Sequence, residues 1–259
     1  MKSIAAVLIL SAIVHAQSAV RPQFDAASIE PNPSPSLRSV LLPPVGGRLS
    51  SRFASLRLLI QNAYGVQSFQ LAGGPDWVGT AGFDLEAKAE GDPSRSEIML
   101  MLRSLLEERF ALKLHRETRE LPVYVLTAAK RGLNLPKPKE DCSDPGTGAC
   151  GQIVLGADGR CCLFARGRQI AMPDLTRSLS GILARTVIDK SGAVDKFDLN
   201  LEWSFDELSV GMPRPVAPDP PVRPSILDAL DQQLGLKLTS AKGPVEVLVI
   251  DHVERTTAN

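Results

Sequence analysis

Four short blocks of this sequence recur in the same order in its second half, and that recurrence limits the fold more than any other feature. Leu56 and Leu59 match Met172 and Leu175, and Phe83-Asp84-Leu85 matches Phe197-Asp198-Leu199. Phe110-Ala111-Leu112-Lys113-Leu114 matches Leu234-Gly235-Leu236-Lys237-Leu238 at a shift of 124 residues. Pro122-Val123-Tyr124-Val125-Leu126 matches Pro244-Val245-Glu246-Val247-Leu248. Ordered self-similarity marks one supersecondary unit present twice. The expected fold is α+β, with two tandem related units, each of short helices packed on small, mostly antiparallel sheets.

Local patterns place the elements. Leu56, Leu59, Ile60 and Ala63 fall on one helical face, and Ser94-Arg95-Ser96-Glu97 is a capping box that opens a helix to Arg109. Phe83 to Glu90 and Phe197 to Trp203 alternate as half-buried strands do. Leu112–Glu117 and Val123–Ala128 read as two strands joined by a charged turn. In the second half, helices cover Asp174–Leu183 and Ser225–Gln233, followed by strands Leu236–Thr239 and Val245–Ile250. The expected division is a leader at 1–16, a first unit at 17–134, a Pro/Gly/Cys-rich loop at 135–159 and a second unit at 160–259. Residues 211–224 hold six prolines and read as an extended linker within the second unit.

The first residues predict export. Lys2 supplies a positive charge, Ile4 to Val14 is an apolar run broken only by Ser11, and Val14-His15-Ala16 is a small-x-small cleavage site. That is the order of a signal peptide, with Gln17 as the first mature residue. The run is short of the roughly 20 apolar residues that span a bilayer. The expected location is therefore periplasmic or secreted, with no integral membrane segment after cleavage. Lys and Arg equal Asp and Glu at 29 each, which argues against a nucleic-acid partner, since that needs a basic face.

Cys142, Cys150, Cys161 and Cys162 are disulfide candidates, because an even count in an oxidising compartment pairs by default. Cys142 with Cys150, or Cys142 with Cys161 or Cys162, are the open choices. The absence of C-x-x-C and of a nearby His argues against zinc.

Catalytic patterns are sparse. No nucleophile elbow, Walker A or H-E-x-x-H occurs. Gly146-Thr147-Gly148-Ala149-Cys150-Gly151 satisfies G-x-G-x-x-G but follows a loop rather than a strand, so it reads as a flexible loop. His115 and His252 sit at strand ends. The carboxylates Asp84/Glu86 and Asp198/Glu202 lie on polar strand faces and are the candidates for an envelope hydrolase. Asp76 and Trp77, after Gly73-Gly74-Pro75, are the binding candidates, because a turn can project a rigid aromatic outward. A Trp folded over the core is the alternative. No cofactor and no metal is expected. The expected partner is a protein or small-molecule ligand in the envelope or outside the cell. A structural envelope component is a further alternative.

Several stretches carry a family resemblance: Phe24–Asn32, Gly73–Trp77 with Phe83–Ala89, Leu106–Val125, Val187–Gly192, and Leu234–Leu238 through Gly243–Asp251. In combination they resemble a secreted domain of unknown function expanded in soil acidobacteria, over nearly the whole mature chain. Some relatives join this domain to a membrane metallopeptidase of the antibiotic-sensor type. By analogy the resemblance implies ligand or partner binding outside the membrane, and it carries over no established activity.

Overall fold

The computed structural model describes residues 21–34, 40–42, 44–139, 150–157, 162–212 and 223–256. The leader at 1–16, Cys142, Cys161, the loop from Gly146 to Ala149 and most of the 211–224 linker lie outside the described residues.

The expected α+β class holds. In chain order the elements are β1 (Ala26–Asn32), β2 (Val40–Leu41), β3 (Arg48–Ser55), α1 (Leu56–Tyr64), β4 (Leu71–Gly73), α2 (Trp77–Thr80), β5 (Gly82–Lys88), α3 (Arg95–Arg109) and β6 (Lys113–Ala128). They continue as β7 (Ile153–Ala157), β8 (Cys162–Ile170), α4 (Met172–Leu183), β9 (Val187–Lys190), β10 (Phe197–Ser204), α5 (Ile226–Ala229) and β11 (Leu236–His252). A π-helical turn, Leu230–Leu234, extends α5 and ends at Gly235 with φ 64°.

Two antiparallel sheets, ordered β1-β5-β3-β2 and β10-β8-β7, flank a third ordered β4-β11-β6-β9. In that third sheet β6 and β11 run antiparallel, and each carries a short parallel strand from the opposite half: β4 on β11, and β9 on β6. The cores follow this exchange. Leu248 and Ile250 of β11 pack with Leu59, Leu106 and Phe110 of the first half. Tyr124 and Leu126 of β6 pack with Leu179, Trp203 and Leu230 of the second.

The long strands correct one expectation. The charged stretch before Pro122 is not a turn; it runs within β6 and pairs with β11, where Lys242–Pro244 lies opposite Pro122–Glu120. Both prolines are tolerated for the same reason. The amide of Tyr124 points outward to the Thr186 carbonyl at 2.8 Å, so the Pro122 nitrogen, two residues earlier, points outward too. Pro244 pairs with Glu120, in the same alternation. Short β9 begins opposite Tyr124 and β4 pairs only from Leu248 onward, so neither nitrogen faces a partner strand.

The match of Pro122 with Pro244 is also displaced. Tyr124 pairs with Val187 as Leu248 pairs with Leu71, so Val123–Leu126 takes the place of Val247–Ile250. The buried pattern agrees: 123, 124 and 126 are buried, as are 247, 248 and 250.

The Phe83–Leu85 and Phe197–Leu199 blocks sit in ladders with similar registers. Ser51 pairs with Leu85 and Ala54 with Phe83; Gly167 pairs with Leu199 and Ile170 with Phe197. Each ladder thus carries one extra residue at the same place, a β-bulge. Phe53 (φ 50°) and Gln169 (φ 48°) occupy the two bulges in the left-handed region, an uncommon conformation for residues other than glycine.

Candidate functional site

Asp76 is exposed and makes no side-chain cap to the short helix α2. Trp77 begins that helix and is half-buried. It stacks on Phe110 and meets Phe83 edge-on, both with centroids 6.5 Å away, while the Arg255 guanidinium lies 5.3 Å from its ring centre. Phe83 and Phe110 belong to the first core. The ring therefore joins the core on one side and a cation on the other.

The strand carboxylates hold backbone and guanidinium groups. Asp84 Oδ1 accepts from the Phe53 amide at 2.9 Å and from Asn32 Nδ2 at 2.9 Å. Asp198 Oδ1 accepts from the Gln169 amide at 3.0 Å, so each aspartate pins the bulge residue of its own half. Glu202 is gripped by Arg166 at 3.0 Å and Arg223 at 2.8 Å. The Asn32 hydrogen bond, then the Phe53 amide, hold the Asp84 carboxyl below its ordinary range.

A lowered carboxyl pKa contributes stability that is present above the unfolded value, near 3.9, and lost as pH falls through the folded value. Asp84→Asn is therefore expected to cost about 1.5–3 kcal/mol at neutral pH, as for a hydrogen bond to a charged group. It should also flatten the loss of stability below about pH 4. Urea midpoints measured at neutral pH and in acid check this; an unchanged acid slope contradicts it.

His115 Nδ1 lies 2.8 Å from Asp251 and its Nε2 lies 3.6 Å from Glu117, which Arg119 also engages. The Asp251 hydrogen bond raises the His115 pKa. All three groups are well exposed, with side-chain exposures of 39–48%. His252 bonds Glu254 at 2.9 Å. Among the described residues no group of three or more His, Cys, Asp or Glu is arranged to hold a metal ion. Neither described cysteine, Cys150 or Cys162, is a free thiol.

The groove with the most one-sided chemistry was not singled out from sequence. It measures about 870 Å³ and lies between the C-terminal end of α1, the outer face of α3 and Arg177 of α4. Among the described residues, every charged side chain lining it is an arginine: Arg95, Arg103 and Arg177. Arg103 Nε donates to the Ala63 carbonyl at 2.6 Å, and its guanidinium covers the Tyr64 ring at 4.7 Å. It thereby caps the end of α1 with positive charge, where the helix dipole favours it. Arg177 is 71% exposed and sits 3.8 Å from Asp174, a loose pair. A second hollow of about 260 Å³ shares Gly65, Gln67 and Arg177 with the groove and extends it to Thr186 and Val187. The available signal was the i, i+4 row Arg95, Met99, Arg103 on α3, but its third arginine comes from the other half of the chain.

A family model described as a protein of unknown function (DUF3738) matches residues 57–253. The chain belongs to this family. The matched span runs from α1 to the end of β11, so the exchanged sheet and the arginine groove lie inside the DUF3738 region, while β1, β2 and β3 precede it. No curated protein and no solved structure matches this DUF3738 chain. No helix among its described residues is long and apolar enough to cross a membrane.

Proposed function

We propose that this DUF3738 protein is an exported, non-catalytic binding module that works in the periplasm or outside the cell. The observation that carries this reading is the groove between α1, α3 and α4, whose charged lining among the described residues is entirely cationic in a chain of zero net charge. Concave, partly apolar surfaces with a few convergent polar groups are where ligands bind. The strand carboxylates support the same side of the choice, because Asp84, Asp198 and Glu202 each spend their oxygens on the fold. The export part rests on Lys2, the apolar run and Val14-His15-Ala16, with a mature end near Gln17 and disulfides among Cys142, Cys150, Cys161 and Cys162.

The two halves are copies of one unit in this reading. Matched bulges, matched aspartates and the reciprocal pairing of β4 and β9 support it.

The test uses the mature protein and the variant Arg95→Glu/Arg177→Glu, both immobilised and exposed to solutes and proteins of the compartment it is exported to. The wild type is expected to retain a component that the variant releases, with equal melting temperatures. Equal retention by the two proteins contradicts the groove reading. Conversion of the retained component into a smaller product contradicts the non-catalytic part.

A further inference from the structure

The groove's lining goes further than a general binding surface. We propose that it takes an extended peptide rich in Asp and Glu, with an apolar side chain set between the acidic ones. This rests on the binding reading above and names its ligand class.

Charge gives the first argument. Arg95, Arg103 and Arg177 reach the groove from two helices of different halves, and among the described residues no carboxylate lines it or its extension. Guanidinium groups pair with carboxylates in a planar, two-pronged geometry, so three of them spaced along one groove suit a chain that repeats carboxylates. Arg95 and Arg177 are exposed, and Arg103 is held in place by the Ala63 carbonyl and the Tyr64 ring, so one of the three is already positioned.

Shape gives the second. The groove opens to solvent along its length and continues past Gly65 and Gln67 to the start of β9. An open, continued trough suits an extended chain better than a compact solute.

The uncharged lining gives the third. Gln61 and Gln67 offer side-chain amides to a peptide backbone, and Asn62, whose Nδ2 donates to the Leu58 carbonyl at 2.9 Å, offers its Oδ1 as an acceptor. Between them lie Val66, Met99 and Leu100, the last 41% exposed. A methionine beside an exposed leucine forms an adaptable apolar seat. Acidic polysaccharide is the competing ligand, but sugar rings favour aromatic platforms, and the only aromatic ring among these lining residues is the half-buried Phe69 of the extension.

The experiment is a fluorescence-anisotropy titration of the mature chain with a labelled peptide of alternating Glu and Leu. The same peptide with Gln for Glu, and an acidic oligosaccharide of uronic acids, are run beside it. The Glu peptide is expected to bind at least tenfold more tightly than the Gln peptide, and to weaken as salt rises. Arg95→Glu/Arg177→Glu should reduce its affinity at least tenfold with melting unchanged, and Leu100→Ala should reduce it less. Equal binding of the Glu and Gln peptides, or equal binding by wild type and variant, overturns the proposal. Binding of the oligosaccharide alone, lost in the variant, overturns the peptide class but leaves the groove reading standing. Binding of neither probe overturns the ligand class, and the retention test above then decides the groove separately.

Discussion

Trp203→Ala is expected to destabilise the protein by about 3–5 kcal/mol, the cost of truncating a fully enclosed aromatic. Trp203 has no exposed surface and anchors the second core. Its Nε1 donates to Ser209 Oγ at 3.1 Å; that hydroxyl donates to Asp206 at 2.8 Å, and Asp206 accepts the Ile226 amide at 3.0 Å, at the first residue of α5. Losing the indole leaves a cavity and also unseats the network that fixes the start of α5. Trp77→Ala is expected to cost less, because its ring is half-buried and one face meets Arg255 rather than the core. Thermal melts of the two variants check the order. A Trp77→Ala loss as large as that of Trp203→Ala shows that the Gly73–Trp77 turn is structural, and leaves Asp76 and Trp77 no role as a contact surface.

A fragment that ends near residue 134 is expected not to fold by itself, although it contains the whole first half of the chain. Its core needs Leu248 and Ile250, which are 2% and 6% exposed in the intact chain, and among the described residues β4 has only β11 as its sheet partner. Each lost apolar contact is a core truncation of about 2–5 kcal/mol, and a domain is stable by only about 5–15 kcal/mol. The fragment covering 160–259 lacks Tyr124, Leu126 and the partner of β9 in the same way. Mixing or co-expressing the two is expected to restore a cooperative transition that neither gives alone. Circular dichroism with urea titration checks this. A cooperative transition in either fragment alone contradicts the exchange of strands between the cores.

The legible parts of the fold were those whose signal is local. Leu56–Tyr64 and the helix after Ser94 carry their apolar face and cap within a few residues, and both form where the spacing places them. Leu106 and Leu230, which lie 124 residues apart like the matched Phe110 and Leu234 blocks, are both fully buried. The strands Arg48–Ser55 and Cys162–Ile170 escaped notice because arginine, serine and glycine interrupt their alternation, and what makes them strands is pairing with β5 and β10. Pro122 fell in a stretch read as a charged turn because its tolerance within a strand depends on which side of a distant strand its nitrogen faces. Asp84 and Asp198 looked like surface carboxylates because the amides they hold, those of Phe53 and Gln169, lie on other strands. The arginine groove was hidden for the same reason, since Arg177 meets Arg95 and Arg103 only after the halves have packed.

The most direct measurement of the central claim is amide hydrogen exchange on the mature protein, with and without the component it retains from its own compartment. Slowed exchange confined to residues 61–67, 95–103 and 173–180, with the Gly73–Trp77 turn unchanged, is the expected result. Slowed exchange at residues 73–81 with the groove unchanged would contradict the claim that the arginine groove is the working surface.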